Sequence, residues 1–236
     1  MTWQSLTCFS LLAVAATAAP VSGRVDLRDS KDPAVRKGLD MSGVVVWLEP
    51  MHTVVPAALA DQRARMLQRD KKFTPHVLAI RAGTLVDFPN FDPIFHNAFS
   101  NYSGQLFDVG LYPPGTSRSV RFGRPGLVRV FCNIHPNMSA VILVLGTPYF
   151  ATTQGDGTFR IDDVPPGEYM LRVFHERAGE PALNALSRVI TIGDGPLLIP
   201  ALSISESGYL AVPHTNKFGH DYHTPPDEGG LYPAAR

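Results

Sequence analysis

The chain has 236 residues, with 21 basic side chains (Lys+Arg) against 21 acidic ones and a formal net charge of zero. That balance gives no support to nucleic-acid binding or to bulk adsorption on an anionic membrane. Its 21 prolines and 20 glycines punctuate short Val-, Leu- and Ile-rich runs, which argues for an all-β chain with many turns, and no phosphate-binding loop, dinucleotide glycine fingerprint or nucleophile elbow occurs in it.

In chain order, residues 1–18 form an apolar run ending in Ala16-Thr17-Ala18, which reads as a secretory signal peptide cut after Ala18. The run is short of the ~20 residues a membrane span needs. Its removal leaves Cys132 as the only cysteine. An unpaired thiol in an oxidising compartment invites oxidation unless something occupies it, and a metal does so. Residues 19–42 supply an opening strand, 21–29, and a charged connector, 30–40. The unbroken apolar run Gly43-Val44-Val45-Val46-Trp47-Leu48 is the first firm strand and suggests burial on both faces. Residues 57–72 are read as a short helix or an exposed loop, with Arg63, Arg65, Arg69, Lys71 and Lys72 as a solvated basic face. Residues 79–90 form two short strands around Gly83 and lead into His96. Pro113-Pro114-Gly115 marks a turn before a strand at 119–122.

The next strand runs into Cys132. Val128, Val130 and Cys132 share one face at a two-residue period, so the thiol should point into the interior with the valines. His135 and Met138 follow at intervals of three. A tight loop with that spacing can return an imidazole and a thioether to the ion that the thiolate holds. Thiolate and thioether are soft donors, and two imidazoles, a thiolate and a distant axial methionine define a blue-copper site. Two glycosylation sequons, at Asn101 and Asn137, are read as accidental.

Across residues 43–145 this order of parts, His96-Asn97 and then Cys132-x-x-His135-x-x-Met138, resembles the plastocyanin- and amicyanin-like cupredoxins, with the methionine spacing of amicyanin. The resemblance implies a Greek-key β-sandwich at 43–146 that holds one type 1 copper ion. It implies His96, Cys132 and His135 as equatorial ligands, Met138 as the axial ligand, and Asn97 as a hydrogen-bonding tie between the two ligand loops. It further implies a one-electron carrier, not an enzyme, in the periplasm, with a dehydrogenase or a c-type cytochrome as partner and no stable membrane insertion. The alternatives are a copper chaperone or storage protein without redox turnover, and a structural envelope sandwich with a relict site.

After the apolar strand at 141–145 a second unit is expected at 147–206. Its turn-strand grammar, Gly157-Thr158-Phe159-Arg160-Ile161 and Pro165-Pro166-Gly167-Glu168-Tyr169-Met170-Leu171-Arg172-Val173, is similar to carboxypeptidase-regulatory-like β-sandwiches, which implies a scaffolding or docking role. The opening strand at 22–25 resembles the first strand of such a module. That leaves open an arrangement in which the copper-binding unit is inserted within the second. Residues 207–236, rich in Gly, Pro and His, are expected to form an extended or disordered tail. Its His214, His220 and His223 carry only compositional weight as metal scavengers.

Overall fold

The computed structural model describes residues 18–55, 61–101, 104–210 and 214–222. All but the last residue of the expected signal peptide, together with His223 and two residues of the first sequon, lies outside the described residues. The chain is nearly all β. Strand β1 (Ala19–Arg28) and the one-turn helix α1 (Pro33–Arg36) precede β2 (Val45–Pro50). Then come β3 (Arg63–Arg65), β4 (Leu67–Arg69), β5 (Lys72–Thr74), β6 (Val77–Arg81), β7 (Thr84–Pro89), β8 (Phe99–Ser100) and β9 (Phe107–Asp108). Next are β10 (Ser117–Phe122), β11 (Gly126–Phe131), β12 (Ser139–Leu145), β13 (Phe150–Thr152), β14 (Thr158–Val164) and β15 (Gly167–Phe174). Helix α2 (Glu180–Ala185) and strands β16 (Arg188–Ile192), β17 (Leu197–Leu198) and β18 (Leu202–Ser205) complete it. Among the described residues no helix is long and apolar enough to cross a membrane.

Two sandwiches are built from these strands. The first packs the sheet β6-β12-β11-β8-β9 against β10-β7-β3. Its core gathers Val86, Phe88, Phe122, Val128, Val130 and Ile142, the inward members of alternating strands. The second packs the sheet in which β1 lies beside β14, β17 and β18 against β13-β2-β15-β16. Its core gathers Val25, Leu48, Phe159, Ile161, Tyr169 and Leu171.

Residues 43–49, read from sequence as the opening strand of the copper-binding unit, belong to the second sandwich: β2 lies between β13 and β15, with Leu48 opposite Leu171 and Val46 opposite Ala151. Their unbroken apolar character has a simple cause. Val46 and Leu48 face the second core, while Val45 packs on Leu143 and Leu145 of β12 with Trp47, Phe150 and Phe174 around them. Strand β12 is likewise apolar on both faces, with Ile142 and Val144 turned into the first core. The sandwiches therefore meet back to back across β2 and β12. The first occupies the stretch of chain between β2 and β13.

Residues 61–74 form neither a helix nor a loop. They contribute β3, parallel to β7, and the β4–β5 hairpin. The hairpin turn is Asp70-Lys71, both at positive φ (55° and 54°), as a two-residue turn matched to strand twist requires.

One glycine is fixed by close approach. Gly157, at φ +83°, accepts the Val25 amide at its carbonyl oxygen at 2.8 Å, and a Cβ there would lie 2.3 Å from the Val25 carbonyl oxygen. Gly157→Ala is expected to cost more than the roughly 1–3 kcal/mol of left-handed strain alone, because β1 must also shift. Gly38→Ala, at φ +68° with nothing within 4 Å, carries the strain without the clash. Denaturant midpoints of the two variants check the difference.

Candidate metal centre

Strand β11 ends its ladder with β12 at Phe131 opposite Ser139. Between them the chain makes a short loop closed by two hydrogen bonds: the Cys132 amide donates to the Met138 carbonyl, and the Met138 amide to the His135 carbonyl, each at 3.0 Å. This closure folds His135 back over the thiol. Val128, Val130 and Cys132 are all buried in the first core, as their alternation predicts, and Met138, 1% exposed, lies in the same cluster. On the neighbouring segment, the His96 and Tyr112 backbones pair in both directions, at 3.2 and 2.9 Å. The Tyr112 hydroxyl donates to the Phe88 carbonyl at 2.8 Å.

The outcome is a convergence of three donors. The Cys132 Sγ is 3.7 Å from His96 Nδ1 and 3.5 Å from His135 Nδ1, and the ligand atoms of the three residues all lie within 4.8 Å of one another. Metal bonds of about 2.0–2.3 Å at angles between tetrahedral and trigonal set thiolate and imidazole donors roughly 3.5–3.8 Å apart. The side chains therefore already stand at the separations a shared ion needs. His96 is fully buried, while His135 is half-buried and followed by the exposed Pro136.

A carboxylate behind His96 fixes its orientation. Asp92 Oδ2 is 2.6 Å from His96 Nε2, and Asp92 also accepts the turn amides of Asp70 (2.6 Å) and Lys71 (2.9 Å). Burial alone would raise the Asp92 carboxyl, but the Lys71 amide, His96 and the Asp70 amide outweigh it and hold it below the usual range. Burial pushes the His96 imidazole down, with Asp92 opposing in part. An imidazole that donates Nε2–H to Asp92 turns its Nδ1 lone pair toward the thiol. Such carboxylate–histidine pairs set tautomer and ligand basicity in metal sites. Asp92→Asn is expected to keep the fold and lower metal affinity by about 10–100-fold, read by competition with a chelator of known affinity.

The sulfur itself faces amides. Burial pushes the Cys132 thiol up, while the backbone N–H groups of Ile134, Asn97 and His135 pull it down. Those donors suit a thiolate. The Asn97 side chain departs from the tie that the resemblance implied: its Nδ2 donates to Asp108 Oδ1 at 2.7 Å, on β9, and not to the loop that carries Cys132. The described part of the C-terminal segment departs too. Residues 214–222 lie against the ligand strand, with the His214 ring stacked on Phe131 at 4.1 Å between centroids. Among the described residues the candidate metal group contains His96, Cys132 and His135 and none of the tail histidines.

No family model matches the chain, and no curated protein does. Solved structures do resemble it in part. A purple cupredoxin from Nitrosopumilus maritimus is 24% identical over 36% of this chain and all of its own, with a TM-score of 0.32. A copper-containing nitrite reductase from Thermus scotoductus is 25% identical over 51% of this chain, at TM-score 0.35, and the match spans only 28% of that enzyme. A reduced amicyanin variant is 18% identical over 42% of this chain and 98% of its own, at TM-score 0.34.

Proposed function

We propose that the chain is a type 1 copper protein of the cupredoxin kind, acting as a one-electron carrier in the periplasm and catalysing no reaction of its own. The observation that carries this reading is the meeting of one buried thiol with two imidazole Nδ1 atoms at 3.5 and 3.7 Å, with the buried Met138 in the same core cluster. Soft sulfur and imidazole in this combination are the copper electron-transfer donor set. Copper held there would supply the chemistry, a reversible change between cuprous and cupric states.

The chain's own residues supply the rest. Cys132 provides the thiolate, with three backbone amides facing its charge. His96, held by Asp92 at 2.6 Å, keeps its ring orientation, which would limit rearrangement of the donors when copper changed oxidation state. His135, half-buried beside exposed Pro136, is the ligand nearest solvent and the natural electron port. A periplasmic dehydrogenase or a c-type cytochrome fits as partner. The second sandwich, which carries none of the proposed ligands, fits the scaffolding role of a carboxypeptidase-regulatory-like module.

The test is a copper titration of the mature chain followed by visible absorption and voltammetry. An intense thiolate-to-copper band and a reversible wave are expected, and a loaded protein without a reversible wave counts against the carrier. Met138→Gln should keep copper and colour while the potential falls, because the thioether would be a weak donor and an amide oxygen could take its place. A storage site for cuprous ion would instead lose cuprous affinity in that variant.

A further inference from the structure

We infer that the C-terminal segment, residues 214–222, is a third wall of the metal centre, with Lys217 and Tyr222 as positioning residues that hold its two ligand-bearing segments together. The inference rests on the copper reading above and names what keeps that site in shape.

Asn97 does not reach the Cys132 loop with its side chain, yet the two segments are joined through the tail. Asn97 Nδ2 donates to Asp108 Oδ1 at 2.7 Å. The other oxygen of Asp108 accepts the Lys217 ammonium at 2.8 Å, and the Lys217 amide donates to Asn133 Oδ1 at 2.9 Å. Asn133 follows Cys132, and the Asn97 amide faces the Cys132 sulfur. The path Asn97–Asp108–Lys217–Asn133 therefore closes a ring around the thiolate, and its one ionic link belongs to the tail.

A second contact bears on the ligand residue itself. The Tyr222 hydroxyl donates to the Cys132 carbonyl at 2.8 Å. Its oxygen is also 3.2 Å from His214 Nδ1, and the His214 ring lies edge-on to Tyr222 at 5.1 Å while stacking on Phe131. Tyr222 and His214 thus cover the two residues at which β11 hands over to the ligand loop. The segment has local structure that presents these groups. Asn216 Oδ1 accepts the Phe218 and His220 amides at 2.9 and 3.1 Å, and the Asn216 amide donates to the His220 carbonyl at 2.8 Å. Gly219, at φ +79°, makes the turn possible.

Positioning of this kind has a consequence for the thiolate. If the ring opens, the Asn97 amide is free to drift from the sulfur, more negative charge stays on the thiolate, and the oxidised state is favoured. Hydrogen bonds to sulfur ligands are a recognised control on reduction potential.

The experiment uses the full mature chain and three variants, Lys217→Met, Tyr222→Phe and the double variant, with Lys217→Arg as the conservative rescue. The first readout needs no metal: the rate at which iodoacetamide alkylates Cys132, the only cysteine after the leader. Cys132 is fully buried, so alkylation waits on opening of the segment that covers it; the double variant is expected to react about tenfold faster, the weight of the lost Lys217–Asp108 link on that opening, and Lys217→Arg at close to the parent rate. The second readout is the copper-loaded protein, in which the double variant should show a shifted charge-transfer band and a lower potential. Parent values of alkylation rate, band and potential in the double variant would overturn the inference. A parent protein that gives no charge-transfer band with cupric ion would overturn the copper reading instead, and the alkylation rates would still judge the tail.

Discussion

Cys132→Ser is expected to abolish the visible absorption of the copper-loaded protein completely. The intense band of a type 1 site arises from charge transfer out of thiolate sulfur, and a serine hydroxyl is neither ionised at neutral pH nor a soft donor. The remaining donors are two imidazoles and a thioether. The fold should survive, because the Cys132 position is fully buried but ringed by amides of Asn97, Ile134 and His135, to which a hydroxyl oxygen can still offer a lone pair. Circular dichroism checks the fold, and the visible spectrum after addition of cupric ion checks the site. An unchanged spectrum would remove Cys132 from the donor set and with it the type 1 assignment.

The largest stability effect is expected far from that site, at Glu206→Ala. The Glu206 side chain is 2% exposed and sits just past β18. One oxygen accepts the Ser30 hydroxyl at 2.5 Å and lies 3.0 Å from Arg177 Nε; the other is 2.8 Å from His175 Nε2. Burial alone would raise this carboxyl, but Ser30, His175 and Arg177 outweigh it and hold it below its ordinary value of 4.5. Alanine leaves the buried His175 imidazole and Ser30 hydroxyl without their acceptor and the part-exposed Arg177 guanidinium with Asp32 alone, at 3.4 Å, so a loss of about 3–5 kcal/mol is expected. A loss below about 1 kcal/mol would mean that the cluster is worth no more than a surface ion pair. The same residues set an acid limb in the parent protein. Burial pushes the His175 imidazole below 6.5, with Glu206 opposing in part, so its contribution is present above 6.5 and lost as pH falls through the lower folded value. Glu206 contributes above 4.5 and loses that contribution on further acidification. Denaturant midpoints should therefore decline from about pH 6.5 downward, where an ordinary histidine begins to charge.

The convergence of Cys132 and His135 was legible because its signal is local. One apolar strand at period two aims Cys132 inward, and an interval of three brings His135 back over the thiol within a single short loop. The double-sided burial of β2 was legible for a similar reason. Its partners were not: Leu48 pairs with Leu171, so far along the chain that composition cannot choose the sheet, and the strand was assigned to the wrong sandwich. The hairpin at 67–74 escaped because three-residue strands are too short to display a period, and its basic residues read as a solvated surface. Asp92 escaped with it, since its partners are two amides of that hairpin turn, although an acid four residues before a candidate ligand histidine is a signal that could have found it. The tail escaped because its composition matches disorder, while its order comes from a few long-range contacts made by Lys217, Tyr222 and His214.

The pairing of β2 with β13 bears on how the chain folds. Trp47 faces Phe150 and Val45 faces Thr152, so the two strands form a hairpin whose loop, roughly a hundred residues long, is itself a folded sandwich. Closing an unstructured loop of that length is entropically unfavourable, and pairings of high sequence separation form late. Once the inner sandwich has folded, its two ends leave side by side, and the outer strands are delivered to each other at short range. The outer sheet then waits on the inner unit during refolding. An ion bound at Cys132 that stabilised the inner unit would also raise the population in which β2 and β13 are held together, so the integrity of the outer sandwich would report on occupancy of the candidate metal centre.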